Sequence, residues 1–245
     1  GCSSVRSIPV GNWDISNVIS LNSTFQGCTS LEILDVSNWN TSKVTTFQSL
    51  FSSCTQLTVI DVSKWDTSSL VGEGLRSVFN GCSLVQVLDV SNWKTDNVTS
   101  IVYVFSGCSS VTNLDVSKWN TSKLTNMLGA FSSCRNLTSL NISNWKTDLI
   151  TSFSYALSYT SITSLDLSNW SFDKATTIAG MFNGCSELVT LKLPDLSKSK
   201  IKKMAYAFAD CSKLTSIDLS TLNTSVLDDI QSLFAGCSSV TGIKG

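Results

Sequence analysis

The chain has 245 residues, of which 42% are hydrophobic and only 14% are charged, and its formal net charge is -1. An average soluble domain carries roughly 25% charged residues, so serine, threonine and asparagine supply most of the polarity here. The balanced charge excludes a general electrostatic attraction to nucleic acid or to anionic lipid. No apolar run approaches the roughly 18 residues that a membrane-spanning helix requires, so we expect no membrane insertion.

One sequence motif recurs along the whole chain with a period close to 26 residues. Trp13, Trp39 and Trp65 are 26 residues apart. The tryptophan column continues through Trp93, Trp119, Trp145 and Trp170, with Leu196 and Leu222 in its last two positions. Cysteine and phenylalanine recur with the same period. A period of this length predicts a solenoid in which each unit forms one coil, so we expect about nine coils in a single domain over residues 1–245.

The first element of each unit is a short apolar segment with period two. In the second unit it contains Leu34 and Val36 with Asp35 between them. This alternation predicts a short strand whose Leu34 and Val36 side chains point inward and whose Asp35 side chain points outward. The same triplet recurs at Ile60-Asp61-Val62 and in later units.

A polar turn and a second apolar segment follow the strand. The second segment ends at Phe51 and Cys54, and the spacing of three residues predicts a short helix with both side chains facing inward. After Cys2, a glycine precedes the cysteine in five units, where a positive φ would close the helical turn. These glycines are Gly27, Gly81, Gly107, Gly184 and Gly236.

Together these elements predict an α/β solenoid of the leucine-rich-repeat kind. We expect a right-handed superhelix with one short parallel strand, a turn and a short helix in each coil. No coil can bury its own apolar face, so each column of like side chains packs on its image in the next coil. Terminal coils usually carry a polar cap, and the first unit shows none, so we expect the chain to be a fragment of a longer one.

The nine cysteines lie in one column of the repeat, from Cys2 to Cys237. The chain has no histidine and no Cys-x-x-Cys motif, so a zinc site would need thiols from several coils. Parallel strands lie about 4.8 Å apart, whereas the Cβ atoms of a disulfide are usually about 3.5–4.5 Å apart. We interpret the column as a buried ladder of small apolar side chains, with metal or redox chemistry as the alternative.

Two polar columns on the outward face of the strands are the candidate ligand-binding residues. They comprise Asp35, Asp61, Asp89, Asp115, Ser37, Ser63, Ser91 and Ser117. Carboxylates about 5 Å apart repel each other by about 0.8 kcal/mol in water. Hydrogen bonds within each coil would offset that repulsion, and a bound cation such as Ca²⁺ is the alternative. We predict no other cofactor and no dedicated metal site.

The tryptophan and threonine columns each allow two interpretations. The indoles either pack inside the solenoid or, if exposed, stack on a ligand. Threonine recurs at Thr41, Thr67 and Thr95, and again at Thr45 and Thr99. Regular threonine rows are typical of ice-binding solenoids, but gaps in these rows favour hydrogen bonds from the hydroxyl groups to the backbone.

Catalysis has little support in the sequence. No histidine is available as a general base, and no glycine-rich phosphate loop or nucleophile elbow is present. Glycoside hydrolysis needs two carboxyl groups in different environments, whereas the aspartates here occupy equivalent positions. We therefore predict that the protein is not an enzyme and has no catalytic residue.

The unit resembles the repeat of the BspA-like leucine-rich-repeat surface proteins, also described as mycoplasma- and lactobacillus-type repeats. The resemblance rests on segments such as Leu137-Thr-Ser-Leu140-Asn-Ile-Ser-Asn-Trp145-Lys-Thr147 and Trp119-Asn-Thr121-Ser122-Lys-Leu124-Thr125-Asn-Met127. It extends over essentially the whole chain and weakens in the last two units, which lack tryptophan. The family resemblance implies a secreted or surface-displayed protein associated with adhesion, and it transfers no ligand-binding residue.

The expected function is therefore a non-enzymatic binding or adhesion module at the cell surface or outside the cell. Its partner would be a protein or a glycan on another cell or in a matrix, because a broad repetitive face of Asp and Ser suits either. The alternative is a structural or receptor-binding component of a virus or phage particle, in which the solenoid is one part of a larger assembly.

Overall fold

The computed structural model describes residues 1–245 as coils joined by parallel backbone pairing. The regular strands are β1 (Ser164–Asp166), β2 (Thr190–Lys192), β3 (Ser216–Asp218) and β4 (Gly242–Lys244), with one 3₁₀ helix at Thr224–Val226. Strand β1 pairs in parallel with β2, and β3 pairs in parallel with β4. Single parallel bridges join Ser7 to Ile33 and Val59 to Val87 at equivalent positions of earlier units. The prediction of a repeat solenoid with a column of short parallel strands is confirmed.

A second column of parallel bridges lies later in each unit. It runs from Ser100 to Asn126, Ser152, Thr177, Lys203 and Asp229. Each bridge joins residues one repeat apart, so this column holds the coils in the same register as the strand column. The number of coils, the right-handed winding and the single-domain boundary stay predictions.

Strands β1 and β3 are short because an aspartate turn follows each of these two strands. In β1 only Leu165 is buried, while Ser164 and Asp166 are exposed. The Asp166 carboxylate then accepts a hydrogen bond from the backbone N–H of Ser168 at 3.0 Å. Such a turn redirects the backbone two residues beyond the aspartate and ends the ladder.

The predicted short helix in each coil is wrong. Between Phe47 and Cys54 the backbone N–H groups of alternate residues donate to the next coil, as from Phe47 to Gly74 O and from Phe51 to Val78 O. The intervening N–H groups donate three residues back, as from Cys54 to Phe51 O. Because half of the donors are used between coils, the i to i−4 bonds of an α-helix cannot form, and the segment is a series of tight turns.

Positive φ angles recur at two positions of this turn segment, four residues apart. In the second unit they are Ser49 (φ 55°) and Ser53 (φ 63°). A positive φ at the third residue is the signature of a type II turn, and the bonds from Leu50 to Phe47 O and from Cys54 to Phe51 O close two such turns. The five glycines for which the sequence predicts a positive φ, Gly27, Gly81, Gly107, Gly184 and Gly236, all have one, although they close β-turns and not helices.

The interior consists of stacked columns that form one cluster of 70 buried residues. The Trp65 and Trp93 rings are 6.5 Å apart between centroids and nearly parallel, and Phe79 stacks on Phe105 at 5.7 Å. Each buried indole donates its Nε1–H to a carbonyl of the preceding coil, as from Trp65 to Val36 O at 3.0 Å. The tryptophan column is therefore interior packing, except that Trp13 in the first unit is 54% exposed.

The cysteine column is buried from Cys28 to Cys211, as predicted, whereas Cys2 is exposed and Cys237 is half-buried; all nine thiols are free. Its hydrogen bonds were not predicted: Cys54 Sγ donates to Phe25 O at 3.1 Å, and Cys108 Sγ donates to Phe79 O at 3.2 Å. Burial raises the pKa of Cys54 and of Cys134 to about 12, and the neighbouring Cys28 thiol contributes to the rise at Cys54. The column therefore combines apolar packing with a chain of thiol donors that join successive coils.

The first threonine column is also internal. Thr67 Oγ1 donates to Lys94 O in the next coil and accepts from the Lys94 N–H at 2.6 Å. The second column, which includes Thr45 and Thr125, donates to carbonyls of the preceding coil. Hydrogen bonding to the backbone is confirmed as the role of both columns, and the buried column cannot present an ice-binding surface.

Candidate binding surface

The outward side chains of the strand column form a surface that we call the strand face. On it, all eight residues predicted as candidate ligand-binding residues are arranged as Asp–Ser pairs. Ser37 donates to Asp35 Oδ1 through its hydroxyl at 2.7 Å and through its backbone N–H at 3.1 Å. The same two bonds recur in the pairs Asp61–Ser63, Asp89–Ser91 and Asp115–Ser117. Hydrogen bonding within the coil therefore offsets the repulsion along the acidic column.

The serine bonds lower the pKa values of three of these aspartates, Asp35, Asp61 and Asp115. The hydroxyl and backbone N–H of Ser63 lower the pKa of Asp61, whereas the negative charge of Asp35 acts in the opposite direction. The pKa of Asp35 is lowered by Ser37, and that of Asp115 by Ser117. Hydrogen bonding to the charged form outweighs repulsion between neighbours, so Asp35, Asp61 and Asp115 are negatively charged at neutral pH.

Each Asp–Ser pair leaves one carboxylate oxygen for a ligand. The serine bonds of Asp35, Asp61 and Asp89 all involve Oδ1. The serine hydroxyls donate to their own aspartates, so they contribute less directly to binding than the sequence suggested. Nowhere in the structure do three or more His, Cys, Asp or Glu side chains cluster closely enough to hold a metal ion. The acidic column therefore offers a row of separate acceptors and not a multidentate cage.

An exposed apolar column lies beside the acidic one and was missed in the sequence. Ile33, Val59 and Val87 are 65%, 67% and 72% exposed, respectively. Each is two residues before an aspartate of the acidic column, so both side chains lie on the outward face of the strand. The alternation that places Leu34 inward was the available signal, because it also places Ile33 outward.

Shallow depressions connect the two columns. One, of about 420 Å³, is lined by Ile33 and Val59 together with Asp35 and Asp61. Another, of about 330 Å³, is lined by Val87, Asp89 and Asp115, among others. We refer to Ile33, Val59, Val87, Asp35, Asp61 and Asp89 as the N-terminal strand face.

The later coils present different chemistry at the same positions. Ser164, Thr190 and Ser216 replace the apolar column, and Lys192 and Lys244 enter the acidic column. We refer to Ser164, Thr190, Ser216, Asp166, Lys192 and Asp218 as the C-terminal strand face.

Lysine neutralises the aspartates of the C-terminal strand face. Lys192 Nζ lies 3.0 Å from Asp166 Oδ2, and Lys244 Nζ lies 3.6 Å from Asp218 Oδ2. The bonds from Ser168, together with Lys192, lower the pKa of Asp166 to about 2. In this part of the surface, small polar side chains thus replace the apolar column, and lysine neutralises the aspartates that remain.

The repeat sequence matches a known protein family along almost the whole chain. The family described as "Mycoplasma protein of unknown function, DUF285" matches residues 1–72, 73–193 and 158–243. The chain belongs to the DUF285 family. The mycoplasma-type repeat that the sequence resembled is thereby confirmed.

Two solved structures are similar to this DUF285 protein. A leucine-rich cell surface protein from Faecalibacterium prausnitzii is 17% identical with a TM-score of 0.41, and the match covers 94% of this chain and 77% of that one. A leucine-rich-repeat protein from Bacteroides ovatus is 19% identical with a TM-score of 0.30, and the match covers 92% and 76%. No curated protein matches the chain. Because both TM-scores are low, the family membership rests on the DUF285 match.

None of the helices in this DUF285 protein has the length and apolar character needed to cross a bilayer.

Proposed function

We propose that this DUF285 protein is a non-enzymatic adhesion module, displayed at the cell surface or outside the cell, whose N-terminal strand face binds a segment of another protein. The observation that carries the proposal is the exposed column of Ile33, Val59 and Val87 beside the acidic column of Asp35, Asp61 and Asp89. The partner segment would be extended and would carry both apolar and basic side chains.

The apolar column supports a binding role because solvent exposure of β-branched side chains in three successive coils serves no purpose in packing. Contiguous exposed apolar patches rimmed by polar groups typically mark interaction sites. Apolar side chains of the partner would fill the depression between Ile33 and Val59. Burying one such side chain contributes roughly 1.5–3 kcal/mol, so two or three would account for most of the affinity.

The acidic column would supply orientation and specificity. Lysine or arginine side chains of the partner would bind the Oδ2 atoms of Asp35, Asp61 and Asp89, whose Oδ1 atoms are held by serine. Such charge pairs raise the association rate at low salt and disfavour acidic partners. Ca²⁺ would compete for the same oxygens, so it belongs in the experiment as a variable.

The proposal can be tested with matched peptides and surface variants. The probes are a nine-residue peptide of alternating leucine and lysine and its leucine–glutamate counterpart, together with an array of extracellular-matrix proteins and glycans. Binding is measured with and without Ca²⁺. We expect the basic peptide and at least one matrix protein to bind, and the acidic peptide not to bind.

Two triple variants localise the binding. Replacing Ile33, Val59 and Val87 by serine should weaken binding at least tenfold, and replacing Asp35, Asp61 and Asp89 by asparagine should remove its salt dependence. The control replaces Ser164, Thr190 and Ser216 by alanine and should bind like the wild type. No binding to any probe, or equal binding by all three variants, would contradict the proposal.

A further inference from the structure

The four tyrosines of the chain all lie at the positive-φ positions of the turn segments. They are Tyr103 (φ 54°), Tyr155 (φ 54°), Tyr159 (φ 56°) and Tyr206 (φ 58°). A left-handed conformation costs a residue with a side chain roughly 1–2 kcal/mol, and glycine would adopt it without that cost. Backbone strain at a bulky surface residue is a reason to look for a function.

Three of the tyrosines alternate with glycine along one column. The column reads Tyr103, Gly129, Tyr155, Gly180, Tyr206, one residue per coil. The Tyr103 ring occupies the space where a Cβ on Gly129 would stand, and the Tyr155 ring does the same at Gly180. Glycine in the next coil therefore leaves the space in which the rings of Tyr103 and Tyr155 lie, and Ser232 takes that position after Tyr206.

A second column, four residues later in each unit, repeats this arrangement once. The Tyr159 ring lies over Gly184, and Tyr155 and Tyr159 are 39% and 37% exposed. The Arg135 guanidinium lies 5.2 Å from the Tyr159 ring centroid, and Asn183 Nδ2 is 3.4 Å from its hydroxyl. We call Tyr103, Tyr155, Tyr159 and Tyr206, with Gly129, Gly180 and Gly184, the tyrosine platform.

The composition of these columns favours a sugar over a protein partner. Apart from tyrosine and glycine, the two columns contain only serine and one aspartate. These residues are Ser23, Ser49, Ser53, Ser77, Ser133, Asp210 and Ser232. The buried core of a protein interface is usually apolar, and no aliphatic side chain is available here. Ring faces bordered by hydroxyl and amide groups match the two surfaces of a pyranose, which has apolar C–H faces and a polar rim.

The spacing of the platform favours a linear polymer. Tyr103, Tyr155 and Tyr206 are two coils apart, which corresponds to about 10 Å if the coils stack like parallel strands. In an extended β-1,4-linked chain, one disaccharide repeat has a comparable length, and alternate sugars present the same face. A chain lying along the solenoid would therefore meet a tyrosine ring at every second sugar.

We propose that the tyrosine platform is a second binding site, for an extended β-1,4-linked glycan. It is independent of the N-terminal strand face and does not need that surface to bind anything. Affinity would increase with chain length, because a disaccharide contacts one ring whereas a hexasaccharide reaches all three rings of the first column.

Calorimetric titration with defined oligosaccharides tests this site. The probes are cellobiose, cellohexaose and chitohexaose, with maltohexaose as a control of different linkage and nonaproline as an aromatic-binding peptide. We expect at least one β-1,4-linked hexasaccharide to bind at least tenfold more tightly than cellobiose or maltohexaose. Three results would overturn the proposal: no binding of either β-1,4-linked hexasaccharide, binding of maltohexaose as tight as theirs, or tighter binding of nonaproline.

Variants then assign the binding to the platform. Asparagine tolerates positive φ, so Tyr103→Asn, Tyr155→Asn and Tyr206→Asn together remove the rings while retaining the turns. This triple variant should bind the preferred hexasaccharide at least tenfold more weakly, and unchanged binding would overturn the assignment. The matched control, Ser49→Asn with Ser77→Asn, lies in the same column and should bind normally. The serine variant of Ile33, Val59 and Val87 should also retain glycan binding, which separates this site from the proposed protein-binding surface.

Discussion

The N-terminal and C-terminal strand faces lie over the same interior but differ in outward chemistry. Beneath both, an indole donates to the preceding coil: Trp65 to Val36 O at 3.0 Å and Trp170 to Ile142 O at 3.0 Å. Above them, Val59 and Asp61 in one region correspond to Thr190 and Lys192 in the other. The repeat therefore constrains the buried columns, because each side chain must fit its neighbours in two adjacent coils, and it leaves the outward positions free to differ between coils.

The largest effects are expected from substitutions in the tryptophan column, which test whether the interior is packed equally well beneath the N-terminal and C-terminal strand faces. Replacing Trp65 or Trp170 by alanine removes a buried indole, its stacking partner and a hydrogen bond, and each change should cost about 3–5 kcal/mol. Urea unfolding followed by circular dichroism measures both variants. If only one of the two substitutions were strongly destabilising, the interior would not be equivalent in the two regions.

Substitution of a buried threonine should also lower the free energy of unfolding by the same amount in the two regions, but by less than loss of an indole. Thr67 is hydrogen-bonded to Lys94 in the next coil, and Thr147 is hydrogen-bonded in the same way to Ser171. Valine at either position keeps the shape but leaves a buried N–H and C=O without the hydroxyl, which costs about 1–3 kcal/mol. The exposed threonine Thr125, replaced by valine, is the control and should cost less, because water can satisfy its partner.

We expect the buried thiols to make the folded protein less stable at alkaline pH. The pKa of Cys134 is raised to about 12 by burial, whereas a cysteine in the unfolded chain titrates near its ordinary value of 9.0. A raised pKa stabilises the fold below pH 9, and that contribution declines as the pH rises toward 12. Between pH 7 and pH 10 the loss is about 1.4 kcal/mol for such a thiol.

Urea titrations at the two pH values measure this loss. The Cys134→Ala variant should lose about 1.4 kcal/mol less than the wild type over the same interval. The exposed Cys2 provides the matched control, and its alanine variant should respond to pH like the wild type. Equal pH sensitivity of all three proteins would show that the thiol does not titrate differently in the folded state.

The smallest expected effect concerns the outward columns. Replacing Lys192 by glutamine removes one of the causes that hold the pKa of Asp166 at about 2. That pKa should rise but stay below the ordinary aspartate value of 3.8, because the hydrogen bonds from Ser168 lower it more than Lys192 does. An NMR titration of the Asp166 carboxyl carbon measures the change. The pKa of Asp61, which lies on the other strand face, should not change.

The sequence predicts the buried columns of this fold well and the connecting backbone poorly. Trp93, Phe105 and Cys108 each belong to a column that recurs with a fixed period. A buried side chain that recurs in this way packs against the equivalent side chains of the two neighbouring coils. The Phe-x-x-Cys spacing, in contrast, fits one helical turn and a pair of β-turns equally well. The choice depends on backbone bonds to the next coil, such as that from Phe51 to Val78 O, which no local pattern reveals.

The sequence predicted only those residues of the candidate site that recur from coil to coil. The Asp35–Ser37 pairs follow from their recurrence, and the structure confirms their bonds within the coil. Ile33, Val59 and Val87 do not recur in later coils, so a search for repeated residues passes over them. The tyrosine platform was missed because its alternation of tyrosine with glycine has a period of two coils and appears only when the coils are aligned.

Exchange of the indole N–H protons tests the central claim, that like side chains lie in register from coil to coil. Six indoles, from Trp39 to Trp170, donate to a carbonyl of the preceding coil and are buried, whereas Trp13 is 54% exposed. In an NMR spectrum recorded after transfer to D₂O, six of the seven indole signals should persist and the signal of Trp13 should disappear first. Rapid loss of several of the six would contradict the stacked arrangement.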